Sequence, residues 1–357
     1  MRVLLLSRYA KNGASSRLRF FQYLPYLRSQ AMVFDIAPLF PDEYLTTLYI
    51  SGSKSLGTSI KAYFKRLAIL SSRKINYDLI WIEKECFPWL PELFESFPLL
   101  RKVPYVVDFD DAIHHNYDQH PFMAVRWLLS SKLSGLVSGA VAVTAGNRYL
   151  ADWAASQGAN QVEVIPTVVE LEKYVNVFGL VKERSEFRVG WIGMPATTNY
   201  LWLVRDALLQ LSKKIPLRLV IIGACPLENY GVPLEIHAWN VDTEALILSG
   251  VEVGIMPLSD SHWEQGKCGY KLIQYMACGL PVVASPVGVN LEIVEHGVNG
   301  FLAENLEQWV ASLKTLHLDL GARLKMGAAG REIVKKRFCL DVTAPRIAKV
   351  LKDAVDG

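Results

Sequence analysis

The stretch GKCGYKLIQYMACGLPVVAS, residues 266–285, decides the fold. It reads as a glycine-containing loop, then a helix, then a buried strand. Gly266, Cys268 and Gly269 are small or flexible enough to let a backbone approach a ligand closely. Tyr270, Ile273 and the Met276/Ala277 pair then recur at helical spacing on one side. Gly279 stops the helix, Pro281 follows, and 282–285 has the composition of a strand buried on both faces. A helix that opens directly after a glycine loop offers unpaired backbone N–H groups and a positive dipole end, a setting that suits a phosphate. Lys267 and Lys271 add positive charge there.

Length and composition bound what surrounds this stretch. A chain of 357 residues has room for two domains of ordinary size. With 51% hydrophobic and 20% charged residues it is globular rather than disordered. A formal net charge of +3 is too small to imply a nucleic-acid partner. Cys86, Cys225, Cys268, Cys278 and Cys339 are scattered without CxxC spacing, which fits a reduced, cytoplasmic setting and gives no metal-ligand pattern. The opening MRVLLLSR is too short in its apolar part for a signal peptide and reads as a first strand. No uninterrupted apolar run of ~18 residues predicts a membrane-spanning helix.

Working outward, QYMACGLPVVAS is followed by PVGVN and EIVEHGVNGF, ending at Phe301. Together these resemble the donor-binding half of a family-4 retaining glycosyltransferase. The resemblance implies an α/β chain of the GT-B class, two Rossmann-like domains facing across a cleft. It covers about 240–303 and is weaker elsewhere. The family usually places two glutamates eight positions apart at this site; here Gly266 and Gln274 occupy those positions, marking a divergent branch. The Gln274 amide can still bond to sugar hydroxyls, without charge assistance. Glu264, two residues before Gly266, is the nearest carboxylate that could substitute.

Upstream, FRVGWIG (187–193) followed by MPATTN and a helix near Tyr200 makes a second strand, glycine turn and helix start. Gly193, Thr197 and Thr198 fall at that turn, and the resemblance assigns it to the donor diphosphate; a capped helix without a ligand is the alternative. Trp239, in IHAWN, reads as core rather than as a platform for a base. Asn290 and Glu292 stand at another strand end, either touching a sugar or capping a helix.

The N-terminal half repeats the strand, turn and helix rhythm. Gly13 permits a tight turn after the first strand, with Ser15, Ser16, Arg17 and Arg19 at the helix that follows. Either these are a cap and solvated arginines, or the loop lines the cleft, as the resemblance implies for Gly13. Over 58–74 a helix carries Ile60, Tyr63/Phe64, Leu67 and Leu70 on one face with Lys61, Lys65 and Arg66 at its flanks. Such a basic amphipathic helix packs on a core, or rests peripherally on the anionic inner face of a membrane. VPYVVDFDDAIHH (103–115) ends a buried strand in Asp108, Asp110 and Asp111, with His114 and His115 beyond. Three carboxylates so close must be paired, hydrated or metal-bound. A DxDD run could hold Mg²⁺, but the resembling fold requires no metal or other cofactor, so Asp110 or Asp111 is expected to orient a hydroxyl. Asn147 caps a later helix.

These readings converge on a cytoplasmic hexosyltransferase-like enzyme with no required metal or cofactor and a nucleotide-diphosphate sugar as co-substrate. The resemblance implies that its acceptor is a glycan or a lipid-linked molecule, as in cell-surface polysaccharide synthesis. Asp110, Asp111 and Lys271 are the expected catalytic residues. Gly13, Gly193, Thr197, Thr198, Lys267, Cys268, Gly269, Tyr270 and Gln274 are placed at the donor, and Ser16, Arg17 and His114 on the acceptor side. The expected domains are 1–170, a linker at 171–187, 188–335, and a C-terminal helix at 336–357 that returns towards the first domain, with the break between the last two helices expected near Pro345. A non-catalytic nucleotide-sugar-binding protein, and an inverting transferase or epimerase of the same architecture, are the rival readings.

Overall fold

The computed structural model describes residues 1–51, 56–71, 76–95, 100, 102–177, 185–223 and 227–356. Cys225, Arg73 and Lys74, and residues 178–184 of the expected linker, lie outside the described residues. The chain forms two compact units. One comprises Met1–Thr167 with Gly266–Cys268 and Leu340–Gly357; the other comprises Val168–Gln265 and Gly269–Cys339.

The first unit holds a six-stranded sheet: β1 (Arg2–Leu6), β2 (Val33–Ile36), β3 (Leu79–Glu83), β4 (Tyr105–Phe109), β5 (Ala142–Ala145) and β6 (Val162–Val164). Their order is β2-β1-β3-β4-β5-β6, with every neighbouring pair parallel. β3, β4 and β5 are buried at every position, as strands covered on both faces must be. Leu4, Ile82, Val107 and Val143 of the sheet pack with Phe87, Leu133 and Leu150 into one core. The strand order reverses between β1 and β3, so the loops leaving those two strands diverge and open a crevice at their C-terminal ends.

The second unit has β7 (Phe187–Ile192), β8 (Leu217–Ile222), β9 (Leu234–His237), β10 (Val253–Met256), β11 (Val282–Ala284) and β12 (Gly300–Leu302). The order β12-β11-β10-β7-β8-β9 is again all parallel. Counted within the unit this is the Rossmann arrangement, with its switch point between β7 and β10.

Three local expectations are corrected. The helix expected near Tyr200 is preceded by a 3-10 helix over Pro195–Val204, and α-helical geometry begins only at Arg205–Ser212. Pro195 at its first position presets φ and gives up an N–H that no helix needs there. The final break falls at Phe338–Cys339 rather than near Pro345, which lies inside the helix Leu340–Asp356. The helix Leu56–Ser71 buries only part of the face its sequence suggested: Leu70 is buried and Tyr63 and Leu67 pack against the core, but Ile60 is 49% and Phe64 67% exposed, whereas Arg66 is buried. The Arg66 guanidinium donates to the carbonyls of Ser7 and Ala37, both at 2.8 Å, which satisfies it inside the unit.

Candidate functional site

Each unit gathers polar residues at its own switch point. In the first unit the central groups are Asp110 and Asp111, just past β4. Asp108, the third aspartate, is fully buried and bonded to Arg19 at 2.6 and 2.9 Å, with the Thr144 hydroxyl donating to it at 2.6 Å. It is therefore committed to the interior, and Arg19 also ties in the carbonyl of Ile165 at 2.7 Å. Asp110 pairs with Lys84 Nζ at 2.7 Å and accepts from the Ser15 hydroxyl at 2.6 Å. Asp111 lies between two ammonium groups, Lys267 at 2.9 Å and Lys84 at 3.3 Å. Burial pushes the Asp111 carboxyl up, but Lys267 and Lys84 outweigh burial and bring it to about 2. The charge that a divalent cation would offset is thus met by two lysines.

Lys84 is the residue that sequence reasoning missed. It follows β3 with φ of 64°, a left-handed conformation that a lysine adopts only when its surroundings hold it there. The side chain is buried, and its ammonium reaches both aspartates. A lysine at a strand end looks like any solvated flank; only its backbone angle and its partners distinguish it.

The expected neighbours of this cluster divide between interior and surface. Ser16 is fully buried, donating to Glu83 at 2.6 Å and accepting from the Tyr9 N–H at 3.0 Å. Gly13 opens the short helix Ala14–Arg19, and a Cβ there would come 3.0 Å from Tyr9 Cγ. Arg17 is half-buried on the same helix. His114 is buried and stacked on Trp153, centroids 4.2 Å apart at 5°. Burial, then the neighbouring His115, lowers it to about 3, so it is neutral at pH 7. Its Nδ1 has no hydrogen-bond partner among the described residues. His115, by contrast, is bonded to Asp118 at 2.9 Å and to Tyr149 at 2.7 Å.

The loop Gly266–Cys268 packs with the first unit. Cys268 donates to the Asp110 carbonyl at 3.0 Å, and burial pushes its thiol up to about 12. Asn147 caps the helix Arg148–Ser156 by accepting from Leu150, and its amide donates to the Lys267 carbonyl at 2.9 Å. Position 266 has no room for a side chain: a Cβ there would collide with Cβ of Ala112 and stand 2.8 Å from its backbone nitrogen.

In the second unit, Gly269 takes φ of 66° and opens the helix Tyr270–Ala277, which no side chain caps. Lys271, in the first turn, places its ammonium 4.1 Å from the centre of the Trp191 ring on β7. A Cβ on Gly193 would collide with the same ring, 2.6 Å from its Cζ2, and sit 2.8 Å from the Thr197 hydroxyl. The loop after β7 and the start of the Tyr270 helix thus meet over one indole, at the switch point. The Thr197 hydroxyl donates to the Met194 carbonyl at 2.9 Å, Thr198 is buried, and Tyr270 is half-buried.

Gln274 faces inward and is 3% exposed; its amide donates to Glu244 at 3.1 Å. Glu244 also accepts from Tyr174 at 3.2 Å and from the indole N–H of Trp239 at 2.6 Å. The core reading of Trp239 is corrected here: the residue is 39% exposed, and its Cβ lies 3.1 Å from where a Cβ on Gly223, after β8, would be. Its outer surface is open while Glu244 holds its edge. Glu264 is buried and accepts from Tyr200 and Ser261. Asn290 is fully buried, donating to the Ser285 carbonyl at 3.0 Å, and Glu292 lies at the surface of the same turn.

Comparison with known proteins follows this division. Residues 186–319, which belong to the second unit apart from Gly266–Cys268, match the family model described as glycosyl transferases group 1. A 90-residue stretch is 39% identical to a D-inositol 3-phosphate glycosyltransferase of Thermobispora bispora, over 25% of this chain and 21% of that protein. A 108-residue stretch is 24% identical to glucosyltransferase 3 of Streptococcus parasanguinis, over 26% of this chain and 33% of that protein. The chain therefore spans a fifth to a third of the lengths of the curated relatives it matches. Among solved structures, HepE of Anabaena in complex with UDP aligns over 99% of this chain and 100% of its own, at 17% identity and a TM-score of 0.69. The fold is thus the GT-B architecture of two Rossmann-like units, and residues 186–319 are the part that matches group 1 glycosyl transferases.

Proposed function

We propose that the protein is a glycosyltransferase that moves a sugar from a nucleotide-diphosphate sugar to a glycan or lipid-linked acceptor, with retention of anomeric configuration. The observation that carries this reading is the meeting of the Gly193 loop and the Lys271 helix start over Trp191, at the Rossmann switch point of the segment that matches group 1 glycosyl transferases. Helix start and ammonium together suit a diphosphate. Trp239, open on one face and held by Glu244, suits a stacked base. Gln274 then acts through Glu244 rather than on the ligand.

In this reading the acceptor hydroxyl attacks the anomeric carbon on the face from which the nucleotide leaves. The bond from that carbon to the phosphate oxygen breaks, and the leaving phosphate takes the hydroxyl proton. Negative charge grows on the diphosphate as the bond breaks, so Lys271 and the helix start stabilise the transition state more than the ground state. Asp110 or Asp111, fixed by Lys84 and Lys267, orients the acceptor hydroxyl, and neutral His114 offers Nδ1. The exposed basic face of Leu56–Ser71 gives the unit a way to rest at an anionic membrane. No described helix is long and apolar enough to cross one.

The test is transfer with purified protein, with product anomers assigned by NMR. Retention of the donor's configuration is expected; an inverted product refutes the mechanism. Lys271→Ala is expected to lower turnover ~10²-fold or more, the size seen when a transition-state donor is lost. Binding of nucleotide sugar without turnover would favour the non-catalytic reading.

A further inference from the structure

An apolar groove of about 440 Å³ lies on the first unit, walled by Ile60, Tyr63, Phe64, Phe87, Trp89 and Phe94 among others. That volume falls within the range of small-molecule sites. Its two hydroxyl-bearing wall residues are already engaged. Tyr63 donates to the Pro88 carbonyl at 2.7 Å, and the Ser59 hydroxyl is bonded to Tyr44. A peptide laid in such a groove would leave its own backbone groups unsatisfied, whereas a hydrocarbon chain needs no partner. Ile60 and Phe64, one turn apart, line the mouth and are largely exposed. Beside them on the same exposed face stand Lys61 and Lys65, and the helix Leu56–Ser71 contains no acidic residue. The rim therefore complements an anionic headgroup next to an apolar tail.

The groove is tied to the aspartate cluster by the segment after β3. Lys84, which holds Asp110 and Asp111, and Trp89, at the groove mouth, both adopt left-handed backbone angles of 64°. Each conformation costs ~1–2 kcal/mol for a side-chain-bearing residue, so the surrounding packing must enforce it twice within six residues. The Trp89 N–H donates to Tyr117 at 3.2 Å, and the two rings meet edge to face at 5.2 Å.

We infer that this groove binds the hydrocarbon chain of an anionic amphiphile, so that the acceptor is a lipid phosphate or diphosphate. The inference rests on placing the acceptor at the first unit, and it selects the lipid-linked class over a free glycan.

The experiment titrates the full chain with dodecyl phosphate below its micellar concentration and, separately, with butyl phosphate. Dodecyl phosphate is expected to bind at least tenfold more tightly. Phe64→Glu, at an exposed position, and Ser59→Trp, which fills the groove, are expected to abolish that difference. The parent's circular dichroism spectrum and the thermal shift given by uridine diphosphate should be kept in both variants. Equal binding of the two phosphates, or variants that bind like the parent, overturns the inference. Adsorption to phosphatidylglycerol vesicles without binding of monomeric dodecyl phosphate also overturns it, making the face a membrane contact. If uridine diphosphate gives no shift in any form, that bears on the donor reading; the alkyl phosphate titration still decides the groove.

Discussion

Replacing Lys84 with methionine tests how the first unit's cluster is held together. The substitution keeps an unbranched side chain one atom shorter and the strained backbone angle, but removes the ammonium that lies 2.7 Å from Asp110 and 3.3 Å from Asp111. Breaking one partner of a buried ion pair costs ~3–5 kcal/mol, because the remaining charge is left without compensation. The lower end applies here, since Asp110 keeps its bond from Ser15 and Asp111 keeps Lys267. A loss of ~3 kcal/mol corresponds to ~10²-fold faster exchange of protected amides in β3 and β4. Hydrogen exchange reads the first unit by itself, which a global melt of a two-unit chain does not.

The same variant carries a pH signature. The Asp111 carboxyl stands at about 2 in the folded protein against an ordinary 3.8. A carboxyl lowered in this way adds stability that is fully present above the ordinary value and is lost as pH falls towards 2. The drop is worth ~2.5 kcal/mol. Without Lys84 only Lys267 holds Asp111 down, so the contribution shrinks. The gap between parent and Lys84→Met should be widest near pH 7 and should narrow from pH 4 towards pH 2, after correction for intrinsic exchange. Lys84→Gly should lose ~1 kcal/mol less than Lys84→Ala, because glycine accepts the left-handed angle without strain. Exchange in Lys84→Met within a factor of two of the parent at pH 7 would refute the reasoning.

Two further substitutions test other joints of the account. Gly266→Glu, which writes in the glutamate usual for the resembling family, should lower the melting temperature and cost ~1–3 kcal/mol, because its Cβ meets Ala112. Activity raised at unchanged stability would contradict that. Trp239→Ala should weaken nucleotide binding by ~1–3 kcal/mol, roughly ten- to a hundredfold in Kd by calorimetry, with little change in melting. Unaltered affinity would remove Trp239 from the base site.

Much of the fold was legible because parallel strands buried on both faces leave unbroken apolar runs. YVV in β4 and VVA in β11 cannot be solvated on either side, and both lie where the sequence places strands. The Tyr270–Ala277 helix was equally plain from Gly269 and Gly279 at its two ends. Less legible was anything decided by tertiary partners. Ile60 and Phe64 have the spacing of a core face, yet they point outward because the unit's interior takes Ala62, Arg66 and Leu70 from that helix. An arginine was the last residue expected there, and two backbone carbonyls make it possible. Pro345 looked like a helix breaker, but the break occurs several residues earlier, at Phe338–Cys339.

At the candidate site, the aspartate run announced itself by charge density, but which aspartate was structural depended on Arg19, far away in sequence. Lys84 and Glu244 gave no local signal, since each acts through residues tens of positions distant. Trp239 shows the opposite limit: IHAWN has the composition of a buried segment, and only the glycine at 223 and the carboxylate of Glu244 leave its ring open.

The central claim is that the second unit binds a nucleoside diphosphate at the Gly193 loop and the Lys271 helix start. The most direct measurement is a thermal-shift series of the full chain with uridine, guanosine, adenosine and thymidine diphosphates, repeated on Lys271→Ala. Ligand at a hundredfold over its Kd stabilises a folded site by ~2.7 kcal/mol, enough to move the transition. One of the four should raise the transition in the parent, and Lys271→Ala should lose most of that rise. No rise with any of them, or an equal rise in Lys271→Ala, would contradict the account.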